Sequence, residues 1–307
     1  MIAAHSDWSV DPRKRWVTIG RRVEDFWVLD APQPTGDVSR IIDRLAARAK
    51  QEAVVFGIDC PIGLPAAYAA QISGFEGFPA FLRSKTPNDQ FFEVAREIGD
   101  VSLARPFFPK GNLSGAGFKL ALAQKLNLPD VQAMSRVVDR KTANRPAAGQ
   151  MFWTLGANQC GKAALAAWRD LLLPAFAAAQ VKLWPFEGSL GSLAVPGQVV
   201  VAETYPAEAL RQVGLKLGGS KRSQAARRGV GAGIKAAMQR LNVRPSAELT
   251  DVIDDGFDQG GKGEDPFDSL IGALGVINVL EGHRPDVPPC PVDMWEGWVL
   301  GQTDLPA

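Results

Sequence analysis

Two stretches of the chain share one pattern: an apolar run ends in an acid and is then stopped by proline. VVFGIDCP puts Asp59 after Val54–Ile58, and VVVAETYP puts Glu203 after Val199–Ala202. Short apolar runs rich in β-branched residues read as strands buried on both faces. Ligands in open α/β sheets bind off the carboxyl ends of such strands. A carboxylate placed there is costly to bury alone and calls for a metal, a base or water. EDPFDSLIGAL adds Asp265 and Asp268 at the start of a helix with apolar periodicity. Three residues apart, they share a face and could address one metal ion. A capping role suits them too, with Asp265 as N-cap, Pro266 as first helical residue and Asp268 in the first turn. Asp7, near the end of an N-terminal stretch from Ile2, is the fifth acid; an Asx-turn is its alternative.

Carboxylates that converge in one cleft repel, and a divalent cation relieves them. Hard oxygen ligands suit Mg²⁺ or Mn²⁺. Two such ions can stabilise the attacking and leaving oxygens of phosphodiester hydrolysis. Histidine is scarce: His5 and His283 are the only two. That excludes a His-rich zinc site and leaves any enzymatic chemistry to carboxylates or lysines. Residues 209–247 contain no Asp or Glu and carry nine Lys or Arg, among them Lys221, Arg222, Arg227 and Arg228. Such segregation makes a local positive field suited to a phosphate-rich partner, or a solvated helix face. GANQCGKA (156–163) nearly matches a phosphate-binding loop, but Ala163 stands where a hydroxyl would hold magnesium. A glycine-rich turn before a buried helix is the expectation there.

The elements that must position these acids follow from periodicity. Ile2–Trp8, Arg15–Gly20 and Phe26–Leu29 read as three strands of an antiparallel meander, the first weak because Ala3, Ala4, His5 and Ser6 are poor strand formers. Gly36–Glu52 reads as a crossover helix to the Val54–Asp59 strand. Residues 65–178 carry several helical patterns (Ala66–Ile72, Phe78–Ser84, Asp89–Ile98, Lys119–Leu126, Val131–Val138) and read as a helical insertion. Val181–Phe186 and Gln198–Thr204 return to strand. Lys221–Leu241 reads as one helix, residues 245–263 as an acidic glycine-rich loop without calcium-loop spacing, and Glu264–Gly282 as a strong helix.

The chain has 307 residues, of which 46% are apolar and 22% charged, with net charge +1. That is the composition of a soluble globular protein with a sizeable core. No apolar run reaches about 18 residues, and no basic-then-apolar leader opens the chain. Cys60, Cys160 and Cys290 are far apart and form no CxxC, which points to a reducing, cytoplasmic compartment.

GIDCPIGLP (57–65), AETYPAEAL (202–210), SKRSQAARR (220–228) and EDPFDSLIGAL (264–274) resemble the family of predicted RNase H-like nucleases known as domain of unknown function 429. The resemblance spans most of the chain but is loose over 65–178, and Ser6 stands where the family has glycine before its first Asp. It implies an RNase H-like α/β fold: one domain over 1–307 with a mixed five-stranded sheet flanked by helices. Its core would be 1–64 and 179–283, with a helical insertion at 65–178 and a tail at 284–307. It further implies a metal-dependent nuclease acting on DNA or RNA. Asp7, Asp59, Asp265 and Asp268 would hold Mg²⁺ or Mn²⁺, with Asp59, Glu203 and Asp268 as the catalytic acids. Lys221 and Arg222, joined by Arg227 and Arg228 of the same basic stretch, would contact phosphate. A non-catalytic nucleic-acid or partner-binding module and an ATPase or phosphotransferase are the alternatives on the same fold.

Overall fold

The structure is a computed structural model; it describes residues 1–111, 117–155, 160–177, 181–258 and 263–306. The chain forms two compact units. The first comprises Met1–Asp59, Gln180–Pro288 and Val299–Gln302; the second comprises Cys60–Ala179, Pro289–Trp298 and Thr303–Ala307. Among the described residues no helix is long and apolar enough to cross a membrane.

The first unit is built on an eight-stranded mixed sheet. Its strands are β1 (Ile2–Asp7), β2 (Trp16–Val23), β3 (Phe26–Leu29), β4 (Gln33–Pro34), β5 (Val54–Ile58), β6 (Val181–Trp184), β7 (Val199–Glu203) and β8 (Val243–Pro245). They lie in the order β6-β7-β5-β1-β2-β3-β8, with β4 beside the start of β2. β2 is antiparallel to β1, β3 and β4, and the remaining pairs are parallel. The sheet is therefore wider than the five strands expected. β4 and β8 have two and three residues, too few for any periodicity to show. β1 is a strand despite its alanines because β2 and β5 bond both its edges and all six of its residues are buried. Tertiary pairing outweighs weak local propensity here.

The chain leaves β1 towards β2 on one side and returns through β5 on the other. The carboxyl ends of β1 and β5 thus flank a topological switch point, the usual place for a ligand crevice in an open sheet. The crossover helix is shorter than expected. The Asp37 side chain caps a 3-10 turn at Val38–Arg40, and the α-helix proper is Ile41–Ala49. It buries Ile41, Ile42, Leu45 and Ala49, one stripe at helical spacing.

The final helix, Glu264–Leu280, packs on β1, β2 and β5 and against the Pro206–Gln212 helix. Glycines let it come close. A methyl group on Gly272 would overlap the His5 imidazole, and one on Gly275 would lie 2.7 Å from Ala209. Gly57 of β5 belongs to the same seam, where a Cβ would lie 2.7 Å from Thr204 and 2.8 Å from Val276. Asp265 does not cap this helix. Gly263 is the N-cap residue, which places Asp265 and Pro266 second and third in the first turn. Proline is tolerated there because first-turn amides have no intrahelical partner.

The basic stretch forms two helices, Gln224–Gly229 and Gly231–Arg240, rather than one. Ser223 caps the first by accepting from the Ala226 amide, which leaves Lys221 and Arg222 in the preceding turn. Part of the expected 245–263 loop is helical. Ser246 caps an Ala247–Asp255 helix that buries Leu249 and Ile253 and ends at Gly256 in the left-handed region.

The second unit has its own aromatic core, in which Tyr68, Phe81, Phe91, Phe107, Phe152 and Trp168 pack ring against ring. Its helices are short: Ala66–Ala69, Phe78–Arg83, Gly117–Lys125 and a Cys160–Ala177 run with a π-turn at Trp168–Leu172. The segments 89–98 and 131–138 fold as 3-10 turns between irregular stretches, not as α-helices. Buried Arg136 forms a fork with Asp139 and donates to the carbonyls of Ile62 and Glu296, satisfying backbone that regular structure leaves unpaired. Of the phosphate-loop-like GANQCGKA, residues 156–159 lie outside the described residues, and Cys160–Ala163 begin the long helix.

Candidate functional site

Three adjacent parallel strand ends build the site. β1 and β5 pair with Ser6 opposite Ile58, and the ladder runs one step further through the Asp59 amide to the Ser6 carbonyl (3.1 Å). Asp7 and Asp59 are therefore register neighbours, with main chains about 4.8 Å apart. β5 and β7 pair with Ile58 opposite Glu203, and the Thr204 amide donates to the Ile58 carbonyl (2.9 Å). Side chains alternate faces along a strand. His5 and Gly57 face the final helix, so Asp7 and Asp59, two residues on, belong to that face. Thr204 is on it as well, because its methyl group touches the space above Gly57.

Glu203 shares the other face with Ile58. It is buried at 5% exposure, and its carbonyl accepts from the Leu300 amide. Register sets its Cβ on the opposite face of the sheet from Asp59, yet its charge acts on the Asp59 carboxyl and adds to the rise in that group's pKa. Thr204, the next residue, stands beside Asp59. The only signal for it in the sequence is its place directly after the acid.

The final helix brings the fourth carboxylate. Ser269 and His5 fasten the helix to β1: the His5 Nδ1–H donates to the Ser269 carbonyl (3.2 Å), and the Ser269 hydroxyl donates to the His5 carbonyl (3.2 Å). Asp268, one residue earlier, is 5% exposed and is carried to the strand ends. Lys221 meets it there. Its Nζ pairs with an Asp268 carboxylate oxygen and lies 3.3 Å from Glu264 Oε1. Glu264 is a member of the cluster that spacing arguments overlooked, because it looked like ordinary first-turn charge.

The electrostatics match this crowding. Burial, and behind it the charges of Asp59, Asp268 and Asp265, push the Asp7 carboxyl well above the usual carboxylate range. Asp59 keeps some solvent exposure as a residue, but protein surrounds its carboxyl. Burial first and the Asp268 charge second push it up to about 8, against the pull of Lys221 and with the Glu203 charge adding to the rise. Asp268 is raised by burial to about 6, with Lys221 holding it down and Glu264 and Asp265 adding to the rise. Burial works against the Lys221 charge, but Asp268 and Glu264 outweigh it and raise the ammonium above the ordinary lysine range. These carboxyls titrate together rather than one by one.

The four expected phosphate contacts divide. Arg222 is exposed (85% of its side chain) and only loosely near Glu264, at 3.5 Å. Arg228 pairs with Asp255. Arg227 is 3% exposed, and its guanidinium donates to the carbonyls of Gly256 (2.9 Å) and Lys221 (2.6 Å). Its role is to hold the turn that carries Lys221. Lys221 itself faces the acids.

The donor set suits a hard divalent cation: several carboxylate oxygens, a threonine hydroxyl, and repulsion among the acids, against which, among the described residues, the Lys221 ammonium is paired. Among the described residues, however, no group of three or more His, Cys, Asp or Glu side chains closes around one point as a complete metal cage. No family model matches the chain, and no curated protein or solved structure matches it.

Proposed function

We propose that the first unit is a metal-dependent phosphodiesterase acting on nucleic acid. The observation that carries this reading is the Asp7–Asp59 pair at adjacent strand ends, with Asp268 delivered to it by the final helix. Mg²⁺ commonly binds through one or two carboxylates plus waters and substrate oxygens, so two protein carboxylates are an adequate seat. A divalent cation bound there would supply Lewis-acid polarisation of a phosphoryl oxygen and a more acidic water. Asp7 and Asp59 would hold it. Asp268, shifted to about 6, is suited to hold or release a proton at its carboxylate near neutral pH. Arg222 is exposed where a phosphate could approach, and Lys216, also exposed, lines a cavity of about 670 Å³ with Gly218, Gly219, Ser220 and Ser223.

The strand order β3-β2-β1-β5-β7 with β2 alone antiparallel supports an RNase H-like core, to which β6 and β8 add one strand at either edge. The test is cleavage of labelled single-stranded DNA, duplex DNA, RNA and a four-way junction, with Mn²⁺ or with chelator, by wild type and Asp59→Asn. Mn²⁺-dependent cleavage that Asp59→Asn loses would support the reading. Metal-independent turnover, or equal turnover by the variant, would refute it. One observation favours a second reading, a non-catalytic nucleic-acid module: the Lys221 ammonium already neutralises Asp268. Salt-sensitive binding without any metal dependence would select it.

A further inference from the structure

We infer that this centre takes a single divalent ion, seated at Asp7 and Asp59 beside the Thr204 hydroxyl, and that the Lys221 ammonium fills the second cation position, at Asp268 and Glu264. The inference rests on the metal-dependent reading above and specifies how the site is divided.

Four observations carry it. First, the carboxylates fall into two groups. Asp268 and Glu264 share the Lys221 ammonium, whereas among the described residues no lysine or arginine pairs with Asp7 or Asp59. Second, the backbone from which Lys221 reaches the acids is held in place. Buried Arg227 donates to the Lys221 carbonyl and to the Gly256 carbonyl, which fixes the turn from which the lysine reaches.

Third, the Asp7–Asp59 side has unpartnered polar atoms. The Thr204 hydroxyl oxygen, on a residue 5% exposed, has no hydrogen-bond partner; nor has Nε2 of His5, which is fully buried. Thr204 is the register neighbour of Asp59, on the same face, and the edge of the His5 ring lies 3.2 Å from the space above Gly57. Buried polar groups are normally satisfied, so this side lacks a partner that the Asp268 side already has. Fourth, paired ions in two-metal centres lie about 3.5–4 Å apart, each held by carboxylates. A second ion at Asp268 would have to displace an ammonium held by two acids.

The experiment is a count of Mn²⁺ by isothermal titration calorimetry, with no substrate and no turnover, on wild type, Lys221→Met and Asp59→Asn. Folding of each is checked by circular dichroism. The inference expects about one ion per chain in wild type, about two in Lys221→Met, and none in Asp59→Asn. Lys221→Gln gives the same count should the methionine variant fold poorly. Two ions in wild type, or one ion in a folded Lys221 variant, would overturn the inference and leave the metal site standing. No Mn²⁺ binding by wild type would overturn both.

Discussion

Gly272 of the final helix lies directly against the imidazole of His5 in β1, with no room for a methyl group between them. This contact sets the height of the helix over the sheet and therefore the position of Asp268, one turn earlier. Burial drives the His5 pKa down to about 3, against its bond to the Ser269 carbonyl, so the ring is neutral. Gly272→Ala must push helix and strand apart. Overpacking of this kind destabilises by about 1–3 kcal/mol. Denaturant unfolding should show that loss together with weaker Mn²⁺ binding, because the carboxylates separate. Wild-type stability in Gly272→Ala would contradict the packing account.

Asp59→Asn should abolish Mn²⁺-dependent cleavage, by at least about 100-fold, while stabilising the metal-free protein at alkaline pH. Both effects have one cause: the substitution removes a carboxyl whose ionised form is disfavoured by burial and by Asp268. A thermal melt near pH 8 without metal reads the second effect. A melting temperature below that of wild type would contradict it.

The pH dependence has a definite sign. Asp7, Asp59 and Asp268 all hold their protons more tightly folded than the ordinary aspartate value of about 3.9. The folded state then binds more protons than the unfolded state in this window. The stabilisation is complete below about pH 4 and is lost as pH rises through about 6 for Asp268 and about 8 for Asp59. The wild-type minus Asp59→Asn difference in melting temperature, followed from about pH 5 to 9 without metal, should become more negative up to about pH 8 and then level off. A flat difference would rule out the shift.

Arg222 and Arg227 should behave oppositely although five residues apart. Arg222→Ala removes an exposed cation, so it should leave stability within about 0.5 kcal/mol and reduce the salt dependence of nucleic-acid binding by about one phosphate contact. Arg227→Ala strips a buried donor from the Gly256 and Lys221 carbonyls. It should destabilise by roughly 1–3 kcal/mol through those unsatisfied groups. Equal effects of the two substitutions on stability would contradict this division.

Much of the site framework was legible in the sequence because it rests on strong local patterns. The Val54–Ile58 and Val199–Glu203 runs announce buried parallel strands, and the apolar Leu270–Val279 stretch announces the final helix. What was not legible depends on three-dimensional pairing. That Thr204 stands beside Asp59 on one face of the sheet is set by the β5–β7 register, which a one-residue slip would reverse. Lys221 and Glu264 are 43 positions apart, and nothing in composition indicates that one would neutralise the other. Arg227 looked like one more surface cation in a basic run; only its burial shows that it holds a turn. The 247–255 helix was hidden by its own acids, since the Leu249–Ile253 stripe is short and Ser246 is an unremarkable cap in sequence.

The most direct test of the proposed Asp7–Asp59 cation site is the melting temperature of wild type and Asp59→Asn with and without millimolar Mn²⁺ near pH 7.5. A ligand at about 100 times its dissociation constant stabilises by about 2.7 kcal/mol, a shift of several degrees for a unit of this size. The account predicts that shift in wild type and its disappearance in Asp59→Asn. An equal shift in both proteins, or none in wild type, would contradict it.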